Sequence, residues 1–242
     1  MVLRIPVASN QSRRSSAVRL QEFFSGWFHR NGRILPWRDR NTTAFGVLVA
    51  EVLLRQTRAE MVAKVWPLLM ASFPDAKTLS AANPKKLQAQ VCGLGLGRQR
   101  TQALIELAQA LKVRFNGSVP RDVQQLEQLP HVGLYSARAV ACFAFGQGVP
   151  VVDSNVVRII SRLKGWEPAP DIRRAKHIWQ VASNILPHRR AKYHNYGLLD
   201  FAAAVCRSRN PLCDLCPLVK NCSYFRVTHK QMSVRGGSAS RR

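Results

Sequence analysis

The sequence has no apolar run approaching the ~18 residues that a membrane-spanning helix requires, so no transmembrane segment is expected. Acidic residues are scarce: 13 Asp and Glu stand against 37 Lys and Arg, for a formal net charge of +24. Such a field attracts polyanions, and nucleic acid is the default partner. An anionic membrane surface is the rival, but no long basic amphipathic face with aromatic anchors supports it. The alternating apolar and polar pattern of β-strands is essentially missing, which argues against a sheet-based fold. No internal repeat is present. Residues 1–16 contain no acid and no apolar h-region, and are rich in Arg and Ser. They read as a basic disordered arm rather than a secretory signal, although their composition loosely resembles a transit peptide. Without a secretory context, the six cysteines point to reduced thiols or a metal rather than disulfides.

What is present is a helical chain. Its 242 residues are 46% hydrophobic, enough for one large domain or two small ones sharing a cleft. A first helix is expected over Ala17–Arg30, with Leu20, Phe23, Phe24 and Trp27 on one face. A loop with Leu35-Pro36-Trp37-Arg38 follows, in which Trp37 reads as a core residue. Next come a very apolar helix over Ala44–Gln56 and another over Arg58–Phe73. Asn83-Pro84 marks a helix start. A further helix spans Arg98–Phe115, after the glycine-rich run Cys92–Gly97. Residues 121–146 read as a short helix, a tight hairpin and a longer helix. Ser154–Lys164, Asp171–Leu186 and Tyr193–Val205 complete the helical set, and the basic tail 227–242 reads as disordered. Cys92 and Cys142 fall in helical patterns and read as core residues.

Three features carry chemistry. Cys206, Cys213, Cys216 and Cys222 form a C-x6-C-x2-C-x5-C loop. Four thiolates crowded into one loop repel one another and require a cation. Zinc and a cubane iron–sulfur cluster both take four thiolates, and spacing alone does not choose between them. Leu129–Ala137 holds the hairpin, whose backbone N–H groups at the start of the following helix suit a phosphate; an ordinary helix turn is the bland reading. Asp153, before Ser154-Asn155-Val156, is most simply a helix N-cap. Glu51 sits within the apolar stretch Val47–Leu54. Burial there raises a carboxyl pKa and suits a general acid, unless the group is paired with an arginine.

Taken in order, these motifs resemble the helix-hairpin-helix iron–sulfur DNA glycosylase superfamily, over roughly Phe23–Tyr224. The cysteine loop is similar to that of endonuclease III and its adenine-glycosylase relatives, where it holds a [4Fe–4S] cluster. The resemblance implies an all-α fold of two helical lobes with a DNA-binding cleft between them. One lobe would comprise 17–43 with 147–226 and carry the cluster loop (206–222). The other would be 44–146, with the helix-hairpin-helix at about 121–146. It also implies roles. Asp153 becomes the carboxylate that stabilises positive charge on the sugar as the base leaves. Glu51 contacts the flipped base, and Gln56, next to Arg55, fills the hole left in the duplex. His131, Val132 and Gly133 grip phosphate, with His131 standing where the family has a first glycine. Arg207 and Arg209, like Lys220, suit the DNA backbone, or are simply solvated charges.

Tyr135 occupies the position where endonuclease III has its Schiff-base lysine, and tyrosine forms no Schiff base. Tyr135, its flanking sequence and the absence of the adenine enzymes' paired tyrosines near Gly93–Arg100 most resemble the thymine-DNA mismatch type. The chain also ends about 20 residues past Cys222, too short a stretch for the adenine enzymes' extra domain. The expectation is therefore a monofunctional glycosylase that removes thymine or uracil opposite guanine and leaves an abasic site. The alternatives are an adenine glycosylase acting on A:G or A:8-oxoguanine, and a non-catalytic iron–sulfur DNA-binding module. A monomer bound to mismatched double-stranded DNA is expected, with no membrane partner and an abasic-site endonuclease acting downstream. In a prokaryote it would be cytoplasmic and nucleoid-associated.

Overall fold

The computed structural model describes residues 16–167, 171–172 and 175–228, and every regular element among them is helical. The α-helices include α1 (Ser16–Asn31), α2 (Ala44–Leu53), α3 (Ala59–Ser72), α4 (Ala76–Ser80), α5 (Pro84–Val91), α6 (Gly97–Phe115), α7 (Val123–Glu127), α8 (Leu134–Phe143), α9 (Ser154–Lys164), α10 (Lys176–Asn184) and α11 (Ala191–Ala204). Residues 1–15 of the expected arm, 229–242 of the expected tail and part of the expected Asp171–Leu186 helix lie outside the described residues. The described part of that helix, α10, begins only at Lys176.

Backbone contacts divide the chain into a flanking unit, up to Arg33 and from Pro150 onward, and a central unit, Ile34–Val149. Residues 34–43, grouped with the flanks from sequence, fall in the central unit. Trp37 anchors them there: it is buried, and its ring meets Trp66 of α3 at 6.4 Å between centroids.

In the flanking unit the apolar stripe of α1 packs along α11. Phe23, Phe24 and Trp27 each meet Phe201 edge-on, at 5.5, 5.6 and 5.6 Å. Burying each such ring is worth about 1.5–3 kcal/mol. The approach is close because α11 presents Gly197, where a Cβ would lie 2.1 Å from the Phe24 carbonyl oxygen. α9 adds Val156, Ile159 and Ile160 to the same core.

In the central unit α2 is buried on all sides, Phe45 through Leu53, as expected of a helix that is apolar all round. Thr43 caps it by accepting from the Gly46 N–H at 3.1 Å. The Trp66 indole N–H donates to the Gly46 carbonyl at 2.9 Å. Asn83 caps α5 through the N–H groups of Lys85 and Lys86, at 3.0 and 3.3 Å.

Two expectations are corrected. α2 ends at Leu53 rather than Gln56, because Leu54–Thr57 forms a turn with Gln56 at φ 55°, outside helical space. Cys92 is exposed rather than in the core. It opens a short 3-10 turn after α5, and Leu94 takes the buried place instead.

Candidate functional site

The hairpin of the central unit joins α7 to α8. Leu129 and Val132 are buried and anchor it, and the Val132 N–H closes the turn onto the Leu129 carbonyl at 3.2 Å. The left-handed residue is His131, at φ 63°, a conformation that costs a non-glycine residue roughly 1–2 kcal/mol. Gly133 is extended at φ −96° and serves as the N-cap of α8. It supplies no side-chain cap, and nothing lies within 4 Å of where its Cβ would stand. The first turn of α8 is therefore uncovered on that side.

His131 is held from two directions. Its Nε2 lies 2.6 Å from Glu106 Oε2 on α6, and its carbonyl accepts from Arg55 Nη1 at 3.2 Å. The bond to His131, and then one to Gln102, hold the Glu106 carboxyl below its usual range. Tyr135 is half-buried in the first turn of α8.

Glu51 lies on α2 and is only 4% exposed. Two residues beyond that helix, Arg55 and Gln56 are exposed on the Leu54–Thr57 turn. Beneath the turn lies Arg100, a residue the sequence reading passed over. Its signal was available: Arg100 falls on the same face of α6 as the buried Leu104, Leu107 and Leu111, where an arginine is out of place.

In the flanking unit Asp153 is the N-cap of α9, as its bland reading holds. Its Oδ1 accepts from the Val156 N–H at 2.9 Å and its Oδ2 from Asn155 Nδ2 at 2.5 Å. Buried Val151 and Val152 fix the entering strand of chain, and the Val151 N–H donates to Asn195 Oδ1 at 3.3 Å. The carboxylate is thus aimed by the helix end itself while remaining partly accessible.

α9 also grips the cysteine loop. Arg158 Nε donates to the Cys206 carbonyl at 2.9 Å. Arg162 donates to the carbonyls of Arg207 and Ser208, at 2.6 and 3.1 Å, and to Cys206 Sγ at 3.5 Å. Its guanidinium lies 4.6 Å from the centre of the Tyr224 ring. Cys206, Cys213, Cys216 and Cys222 are all half-buried free thiols. Among the described residues no three His, Cys, Asp or Glu side chains converge on one metal-ion position. The four sulfurs nonetheless influence one another. Burial first, then the neighbouring thiols, push Cys216 up to about 11. Burial, then Cys222 and Cys206, raise Cys213. A cation bound by the four sulfurs would relieve this mutual repulsion and draw the thiols into their anionic form. Arg207 and Arg209 are exposed on the same loop.

Residues 49–195 match the family described as HhH-GPD superfamily base excision DNA repair protein. The chain is 31% identical to a thymine/uracil-DNA glycosylase of Methanothermobacter thermautotrophicus, over 90% of this chain and 96% of the relative. It is 37% identical to an adenine DNA glycosylase of Mycolicibacterium smegmatis, over 79% of this chain but only 65% of the relative. The solved structure of a thermostable thymine-DNA glycosylase superposes with a TM-score of 0.79 at 31% identity, covering 87% of this chain and 95% of that one.

Proposed function

Since the chain belongs to the HhH-GPD superfamily of base excision DNA repair proteins, we propose that it is a DNA glycosylase that removes thymine or uracil mispaired with guanine and leaves an abasic site. The observation that carries this reading is Tyr135 in the first turn of α8, where a strand-cutting relative would carry an amine. Relatives matched almost end to end bear thymine, and one of them also uracil, in their names. The adenine enzyme of Mycolicibacterium smegmatis, matched over 65% of its length, favours adenine as the second reading.

In this reading the basic surface gathers the duplex, with strong salt dependence. The N–H groups of the first turn of α8, beside Val132 and Gly133, take one phosphate, helped by the dipole of α8 and by His131. Arg55, Arg207 and Arg209 contact the backbone. The target base leaves the stack and Gln56 fills its place; a mismatched base is the cheaper one to extrude. Asp153, aimed by Val156 and Asn155, faces the sugar, and its carboxylate stabilises the charge that develops as the glycosidic bond breaks. The buried carboxyl of Glu51 serves the departing base as proton donor. Tyr135 packs beside the flipped pyrimidine. Cys206, Cys213, Cys216 and Cys222 suit a [4Fe–4S] cluster, as four free thiols on one loop that Arg158 and Arg162 secure. Bound there, the cluster shapes the loop and supplies no hydrolytic step. The enzyme acts as a monomer, and an abasic-site endonuclease takes its product.

End-labelled duplexes carrying G:T, G:U, A:G or A:8-oxoguanine test the proposal, with strand breaks scored before and after hot alkali. Alkali-dependent breaks at T or U are expected. Breaks only at A move the protein to the adenine branch, and breaks without alkali refute a monofunctional enzyme.

A further inference from the structure

Arg100 lies in the first turns of α6 and is 8% exposed. Its guanidinium donates to four acceptors. Nε reaches the Gly95 carbonyl at 2.8 Å, Nη1 the Leu53 carbonyl at 3.0 Å, and Nη2 both the Arg55 carbonyl at 3.2 Å and Thr57 Oγ1. Every acceptor is neutral. Burial first, and then the neighbouring cation of Arg55, disfavour the charge of this guanidinium. Burying a cation beside another cation is costly, and these four hydrogen bonds offset that cost.

What they hold is the end of α2 and the turn after it. Leu53 is the last residue of α2, and its carbonyl has no partner within the helix, so Arg100 caps α2 at the end where the helix dipole favours a cation. The next two grips, on Arg55 and Thr57, straddle Gln56. The Thr57 N–H closes the turn onto the Leu54 carbonyl at 3.2 Å, and the Thr57 hydroxyl also donates to the Arg55 carbonyl at 3.3 Å. Gln56 is thereby fixed at φ 55°, a left-handed conformation that side chains other than Gly and Asn rarely keep unaided, with its side chain exposed.

We propose that Arg100 is the positioning residue that pre-forms the Leu54–Thr57 turn so that Gln56 enters the duplex without first being ordered. The proposal rests on the reading of Gln56 as the residue that fills the vacated place in the stack. A turn left loose would have to lose its conformational freedom during base extrusion, and the rate would fall accordingly.

The test is a double-mutant cycle on the full-length protein, using single-turnover excision from a G:U duplex with 2-aminopurine beside the target to report unstacking. Arg100→Lys keeps the charge but loses the fork that spans Leu53, Arg55 and Thr57. It is expected to slow excision and the fluorescence rise together by about tenfold. Thr57→Val, which removes one acceptor from the surface of the unit, is expected to act in the same direction by less, and carries the test if the lysine variant fails to fold. In a Gln56→Ala background both effects should vanish. If Arg100→Lys or Thr57→Val slows the Gln56→Ala enzyme by the same factor as wild type, Arg100 acts independently of Gln56 and the proposal is overturned. If Gln56→Ala alone excises and unstacks at the wild-type rate, the reading of Gln56 fails, and the proposal falls with it.

Discussion

His194 makes a quantitative test of the flanking unit, whose α9 carries Asp153. It is 0% exposed, its ring meets Phe24 edge-on at 5.6 Å, and its Nε2 has no hydrogen-bond partner among the described residues. The ring Nδ1 lies 3.5 Å from the Gln21 carbonyl. Burial pushes the imidazole pKa down to about 4, only weakly opposed by that carbonyl. The unfolded chain binds the proton more readily, near the ordinary 6.5. Stability is therefore fully present above about pH 6.5 and is lost as the pH falls toward 4. Linkage between these two values removes about 2 kcal/mol between pH 7 and pH 5, and about 3 kcal/mol by pH 4. Urea unfolding followed by tryptophan fluorescence, on wild type and His194→Leu, measures this directly, because every other titrating group is common to both. The wild-type curve should fall away from the variant's as the pH drops from 7 to 5. Parallel curves over that range would refute the argument that His194 is held neutral by burial.

Other substitutions separate structure from chemistry. Asp153→Asn keeps a side-chain oxygen for the Val156 N–H, so stability should hold within about 0.5 kcal/mol. Excision should nevertheless fall by about a thousandfold or more if, as proposed, this charge stabilises the sugar; retained activity in a kinetic assay would remove Asp153 from the mechanism. Gly197→Ala drives a methyl group into the Phe24 carbonyl and should cost about 3 kcal/mol in denaturant unfolding as α1 and α11 are forced apart. Cys216→Ser should lose most of the visible absorbance and the roughly four irons and four sulfides per chain expected of the cluster. Stoichiometric zinc in colourless wild-type protein would overturn the cluster assignment.

The sequence carried a great deal of this. The stripe Leu20, Phe23, Phe24, Trp27 announced the face that α1 buries, because helical spacing and apolar character are both local. Asn83-Pro84 and Asp153-Ser154 marked helix starts that the structure keeps, because capping is satisfied within a few residues of chain. The charge imbalance points to nucleic acid, and the ordered motifs to the superfamily, from sequence alone. The sequence also showed that a histidine stands at the first hairpin position. It did not show that His131 takes the left-handed conformation there, held by Glu106 on α6 and by Arg55 after α2. Nor did it show where α2 stops. Propensity would run that helix on to Gln56, whereas Arg100, 44 positions beyond it in the chain, meets the carbonyls of the helix end and of the turn that follows. Local rules fix what a segment can form by itself. Where a segment ends, and which polar group a distant residue must satisfy, are decided only when the chain packs against itself, because a buried carbonyl or guanidinium takes its partner from whatever the fold brings within reach.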